Sequence, residues 1–254
     1  MKNLLGKIYA GWCIFWFLLV FLLIYPFFLL FLSREKWYPY GHFLNKLWAH
    51  VVFAACALPT KIEFRFKPEK GKSYVYCANH TSYLDIPTLC YSLPGYFVFV
   101  GKASLAKVPL FGYMFRTLYI QVDRRSQKSR YETMIKSLEA IDKKRSLAIF
   151  PEGTIPNVNN PQMIPFKDGA FRTAIEKKVP IVPISIINNW KILPDESVIP
   201  RRMVMKAIIH EPIDTQDLTL DDVNMLKEKT YSIIDQELRK HHPEAFLEKV
   251  VESK

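Results

Sequence analysis

Apolar positions crowd the first sixty residues and then thin out. No charge falls between Gly11 and Leu32, a run of 22 residues, and at about 1.5 Å per residue such a helix can cross a hydrocarbon core of about 30 Å. A secretory signal would have a shorter apolar core and a small-residue cleavage site, which Ser33-Arg34-Glu35-Lys36 does not supply. Pro26 predicts a kink in this helix. A second apolar stretch, residues 43–58, is shorter and interrupted by Lys46 and His50. It predicts a re-entrant or interfacial helix that returns the chain to its starting side. Trp37, Tyr38, Tyr40 and Trp48 suit an interfacial belt, while Lys2 and Lys7 on one flank and Arg34 and Lys36 on the other leave the orientation open.

Beyond Pro59-Thr60 the pattern changes. Residues 61–67 alternate charged and apolar side chains, the period of a half-buried strand. Strand-like runs follow at 73–78, 96–100, 119–122, 147–150, 181–187 and 203–209, separated by helical stretches after Asp85, around 109–116, and at 129–142, 168–177 and 221–239. Such alternation predicts an α/β fold, a mostly parallel sheet flanked by helices, preceded by an N-terminal membrane-anchoring helical hairpin. The expected division is an anchor of residues 1–60 and an α/β domain of residues 61–254. The Pro/Asn-rich residues 155–165 read as a long loop, a place where function often resides.

Charge narrows the partners. The net +11 points to an anionic one, and the uncharged N-terminal run favours membrane lipid over nucleic acid. The four cysteines, Cys13, Cys56, Cys77 and Cys90, show neither CxxC nor zinc-type spacing and read as reduced core or membrane residues.

Candidate chemistry gathers where strands end. Asn79-His80-Thr81-Ser82-Tyr83-Leu84-Asp85 follows the apolar run Tyr74-Val75-Tyr76-Cys77-Ala78. Residues five apart sit about 140° apart on a helix, so His80 and Asp85 meet only if His80 lies in a turn and Asp85 opens the next helix. Pro87 suits that first turn. The pair then forms a base oriented by a carboxylate. Ser82-x-x-Asp85 also fits a capping box, and on spacing alone both readings stand. Glu152 and Gly153 follow the strand at 147–150, and Gly153 permits close backbone approach to a ligand. Lys102, Arg124, Arg125 and Lys167 fall near strand ends or loops at the same edge, where cations make an anion site. Signatures of α/β-hydrolases, nucleotide-binding loops and zinc proteases are absent from the sequence, and no metal or cofactor site is expected.

The His-x4-Asp form at His80 and Asp85 resembles the first motif of the glycerolipid acyltransferases, in particular bacterial 1-acylglycerol-3-phosphate acyltransferases. Later stretches match in order: Gly101-Lys102-Ala103-Ser104-Leu105 with Pro109 and Gly112, then Tyr119-Ile120-Gln121-Val122-Asp123-Arg124, Phe150-Pro151-Glu152-Gly153-Thr154, and Val179-Pro180-Ile181-Val182-Pro183-Ile184. The resemblance, over roughly residues 79 to 184, implies an acyltransferase. It would move a fatty acyl group from acyl-CoA or acyl carrier protein to the free hydroxyl of a lysophospholipid, 1-acylglycerol 3-phosphate first. It would work at the membrane, on the cytoplasmic face of a bacterial inner membrane. His80 and Asp85 would be catalytic; Lys102, Arg124, Glu152, Gly153, Thr154 and Lys167 would bind substrate. Another lysolipid acceptor, thioester hydrolysis and a non-catalytic membrane-binding module are the alternatives. One departure stands out: family members acting on lysophosphatidate commonly follow the third motif with arginine, whereas here Ile155-Pro156 follows Thr154.

Overall fold

A computed structural model of the chain describes residues 2–123, 125–156, 160–195, 197 and 199–247. Helix α1 (Lys2–Phe31) continues through Pro26, and a 3₁₀ turn (Glu35–Trp37) leads into α2 (Tyr38–Ala55). The two run antiparallel. Tyr9 Oη donates to Cys56 O at 2.7 Å and Trp12 Nε1 to Ala55 O at 2.9 Å, while at the other end Phe31 packs on Tyr40. Much of α1 stays uncovered, with Leu4, Ile8, Phe15, Leu22 and Leu29 exposed. α2 divides in two: Tyr40, Phe43 and Leu47 are exposed, as an interfacial helix requires, but His42, Asn45 and Phe53 are buried against the body and Trp48 against Phe17 and Phe21 of α1. Asn45 Nδ2 donates to Tyr119 Oη at 2.8 Å, and Lys46 Nζ to Leu93 O at 2.5 Å. The hairpin therefore shares one hydrophobic core with the sheet that follows it.

Seven strands follow: β1 (Thr60–Phe64), β2 (Val75–Ala78), β3 (Phe97–Lys102), β4 (Ile120–Val122), β5 (Ser146–Ile149), β6 (Ile181–Ile186) and β7 (Met205–Ile209). They form one sheet in the order β1-β7-β6-β2-β5-β3-β4. β2 to β6 are parallel; β7 joins β6 antiparallel and β1 lies parallel to β7, so two strands at one side run against the rest. Covering helices are α3 (Asp85–Ser92), α4 (Phe111–Leu118), α5 (Gln127–Asp142), α6 (Gly169–Glu176), α7 (Asn189–Ile192), α8 (Val223–His241) and α9 (Glu244–Leu247). The central strands read as continuous apolar runs because both faces are covered: Val75, Cys77, Leu147, Ile181, Val182 and Ile184 are fully buried.

Element bounds shift where local sterics decide. The strand expected at 61–67 ends at Phe64, and the short α7 and α9 carry too few residues to show a period. α4 starts at Phe111 rather than Pro109 because Leu110 takes φ 61°, and the Gly112 amide then turns back onto Val108 O at 2.7 Å. A Cβ at Gly112 would lie 2.2 Å from Ala106 O, so only glycine fits this turn.

Candidate active site

The parallel strands β2, β3, β5 and β6 all end at one sheet edge, and the site begins where β2 leaves it. Asn79 Oδ1 accepts the Ile186 amide at 2.7 Å and Asn79 Nδ2 donates to Ile186 O at 3.0 Å. The side chain thus mimics a strand residue towards β6. That clasp ends the ladder and turns His80 out above the edge.

His80 Nδ1 lies 3.0 Å from Asp85 Oδ2. The same oxygen accepts the amides of Thr81 (2.7 Å) and Ser82 (2.9 Å), while Asp85 Oδ1 accepts from Asn189 Nδ2 at 2.9 Å. Asp85 is fully buried and opens α3, with His80 in the turn before it. Orienting the histidine and tying down the helix start are one arrangement here. The Ser82 amide makes the back-reaching half of a capping box, while Ser82 Oγ donates to Leu193 O at 2.6 Å and accepts the Leu84 amide at 3.1 Å. Because Asp85 can only accept, Nδ1 carries the proton and Nε2 presents a lone pair. The imidazole stacks on Phe150, with ring centroids 4.0 Å apart at 15°, which holds its plane. About 12% of the His80 side chain stays accessible.

Glu152 is part of this frame. It is fully buried; Oε1 accepts the His80 amide at 2.8 Å and Oε2 the Ile164 amide at 3.1 Å. The carboxyl expected to contact substrate thus braces the His80 turn against the loop at Ile164. Burial pushes its pKa up to about 7, the two amides pull it down, and the nearby Asp85 carboxylate adds to the rise.

Gly153 takes φ +79°, and Lys167 crosses it so closely that a Cβ there would lie 3.1 Å from Lys167 Nζ. Lys167 itself is fixed by its amide bonding to Pro151 O at 2.9 Å. Thr154 is exposed and, among the described residues, its hydroxyl reaches only the neighbouring Ile155 O, at 3.3 Å. Lys102 ends β3, exposed. β3 pairs with β5 as far as Phe99 and Ala148, and β5 with β2 as far as Ile149 and Cys77, so Lys102 leaves the sheet at the same edge as Asn79, two strands away. Arg125 is exposed, and Arg124 lies outside the described residues.

Asn79, Phe150 and Asn189 take parts that spacing did not assign. Asn79 alone carried a signal, a polar residue directly after a predicted strand; Phe150 read as the last residue of an apolar strand and Asn189 as part of a loop. A second histidine pair has the wrong polarity for a base. Ser185 Oγ is 2.8 Å from His210 Nε2, but Arg65 Nη1 donates to His210 Nδ1 at 3.0 Å, so Nε2 carries the proton towards the serine. Burial, then the Arg65 charge, hold His210 down at about 4. Among the described residues, no three His, Cys, Asp or Glu side chains are grouped to hold a metal ion.

The profile of the Acyltransferase family matches residues 60–187. Among curated proteins, a Saccharomyces cerevisiae 1-acyl-sn-glycerol-3-phosphate acyltransferase is 36% identical over 160 residues, covering 62% of this chain and 53% of that protein. An Escherichia coli protein of the same description is 30% identical over 207 residues, 78% of each chain. The chain thus spans about half the length of the yeast relative. The crystal structure of a 1-acyl-sn-glycerophosphate (LPA) acyltransferase from Thermotoga maritima superposes with a TM-score of 0.75 at 19% identity, covering 93% of this chain and 97% of that one.

Proposed function

This chain belongs to the acyltransferase family, and from that premise we propose that it transfers a fatty acyl group from a thioester donor to the free hydroxyl of 1-acylglycerol 3-phosphate, giving phosphatidate. The observation that carries this reading is the His80–Asp85 pair at the sheet edge, with Nδ1–H held by a buried carboxylate and Nε2 left as base. His80 Nε2 takes the acceptor's hydroxyl proton as its oxygen attacks the thioester carbonyl. Asp85 stabilises the imidazolium that results. The tetrahedral adduct expels the thiolate, which recovers the proton from His80, so no charge is left behind. Acyl-CoA or acyl carrier protein serves as donor.

Lys102 and Lys167 supply the phosphate-facing charge in this reading, with Arg124 and Arg125 as the further cations of the sequence motif. Lys167 supports it, since its amine rests over the backbone of Gly153 where the motif lacks a following arginine. Thr154, exposed on the same turn, offers a hydroxyl to the glycerol part.

The hairpin keeps the enzyme at its lipid. α1 measures about 45 Å and is held to one folded body at both ends. Gly6 packs on Ile199 and Tyr9 bonds Cys56 near its start, and Leu32 is buried just past its end. A helix crossing the bilayer along its normal would drag part of that body through the hydrocarbon. α1 therefore lies along one leaflet, with the catalytic body on the cytoplasmic face, which in a bacterium is that of the inner membrane. Purified protein given labelled acyl thioester with and without lysophosphatidate tests the reaction. Labelled phosphatidate that disappears in His80→Ala is expected; free fatty acid in its place, or no turnover, refutes it.

A further inference from the structure

Away from the catalytic edge, a cleft of about 200 Å³ opens between the end of α4, the edge strand β4 and the second half of α5. Arg116, Lys136, Lys143 and Arg145 line it, with Glu139 as the one acid. Tyr119 and Ile120, where β4 begins, belong to the lining, so the cleft sits towards the amino ends of the strands while His80 stands past their carboxyl ends. Lys143 Nζ and Arg145 Nη2 both reach Glu35 Oε1, at 2.6 and 2.8 Å. Glu35 belongs to the turn between α1 and α2, so these bonds fasten that end of the hairpin to the rim of the cleft. Arg145 also lies over the Tyr96 ring at 5.3 Å, and Arg116 over Tyr113 at 5.5 Å. Arg116 and Lys136 are exposed and form no ion pair among the described residues. Counting Glu35 and Glu139 against the four cations still leaves two positive charges unmatched.

The surroundings say which anion would meet them. Arg34 and Lys36 both lie over the Trp37 ring, at 5.1 and 5.6 Å, and the exposed apolar face of α2 begins directly afterwards at Tyr40 and Phe43. An indole flanked by cations at the rim of an apolar face belongs at headgroup depth. We propose that this cleft binds the phosphate headgroup of an anionic bilayer lipid, through Arg116 and Lys136 with Lys143 and Arg145 behind them, and so holds the turn end of the hairpin at the interface. The proposal rests on the hairpin's being a leaflet anchor and not on the acyl-transfer chemistry.

The test compares the full chain with its Arg116→Gln/Lys136→Gln variant in co-sedimentation, using vesicles of phosphatidylcholine alone or with about a third phosphatidylglycerol. Each cation near an anionic surface contributes about a factor of five, so the variant should partition into phosphatidylglycerol vesicles about 30-fold more weakly. Partition into phosphatidylcholine should not change, because the apolar face is the same. The difference should vanish at about 1 M salt, where the screening length is about 3 Å. Turnover in neutral detergent micelles should match the unmodified chain, which also shows the variant folded. Equal weakening on both vesicles, or none on either, overturns the proposal. So does equal weakening by Arg172→Gln/Lys229→Gln, two exposed cations on α6 and α8, since bulk charge would then suffice.

Discussion

Asp85→Asn separates the catalytic part of Asp85 from its structural part. Asp85 Oδ2 accepts three donors, the Thr81 and Ser82 amides and His80 Nδ1–H. In the isosteric amide, the two backbone N–H groups require an oxygen at that position, so the carbonyl takes it and the new NH₂ faces Asn189. Asn189 can answer by flipping its amide, because its Oδ1 has no partner to lose among the described residues, with the Thr88 hydroxyl, which now accepts from Asn189 Nδ2 at 2.8 Å, turning from Leu84 O to donate to it. The Nδ1–H tautomer of His80 therefore survives, and what is removed is the charge. Four charge-assisted bonds, the one with Asn189 included, become neutral ones, losing about 1 kcal/mol each, while several kcal/mol of carboxylate desolvation is relieved. The net change in stability should stay within about 2 kcal/mol. Transition-state stabilisation of the imidazolium has no such offset. Losing about 3 to 4 kcal/mol there lowers kcat by roughly 10²- to 10³-fold, less than the ~10⁴-fold known where such a change also traps the wrong tautomer. Asp85→Ala instead orphans four donors at about 1 to 2 kcal/mol each, roughly 4 to 8 kcal/mol in all. The assay pairs kcat for acyl transfer with thermal unfolding, both in neutral detergent. An Asn variant as unstable as the Ala variant, or one within threefold of normal kcat, would refute the reasoning.

His80→Ala should lower kcat by about 10²- to 10⁴-fold with little change in Tm, since a partly accessible turn residue contributes little stability; parallel loss of Tm would make the histidine structural. Glu152 gives a pH signature. Its pKa rises from 4.5 to about 7 on folding, so its contribution to stability is fully present below pH 4.5 and lost as pH rises through 7, about 3 kcal/mol in all. Glu152→Gln should flatten the Tm profile between pH 5 and 8, and an unchanged slope would assign that dependence to other groups. Lys102→Ala should raise KM for lysophosphatidate at least about tenfold, the effect of losing one charge-assisted bond. A preference of the unmodified chain for lysophosphatidylcholine or lysophosphatidylglycerol would rule out the phosphate site. High-salt washing should leave the protein on membranes and detergent should release it, because salt screens charge but not apolar burial; release by salt alone would mean the hairpin is not inserted.

The alternation of apolar strands with longer helical stretches was enough to predict the layered α/β sheet, because strands covered on both faces must be apolar throughout, as Val75, Leu147, Ile181 and Ile184 are. Spacing also put His80 in a turn and Asp85 at a helix start, since the two can meet only that way. Tertiary structure decided everything that depended on strand order and burial. β7 runs against β6 although its residues read like those of any other buried strand, because direction depends on the connection and not on composition. For Glu152 and Lys167 the motif pattern supplied only a place near the site, not what either touches. Only the close approach of β2 and β5 showed the carboxyl consumed by the His80 and Ile164 amides, and only the left-handed Gly153 let the lysine amine lie across the turn. Asn189, more than a hundred residues from Asp85 in sequence, meets it because β6 lies beside β2 and their ends share one edge. A one-dimensional pattern records which faces an element buries; it carries no record of which distant backbone amide a buried carboxylate will find.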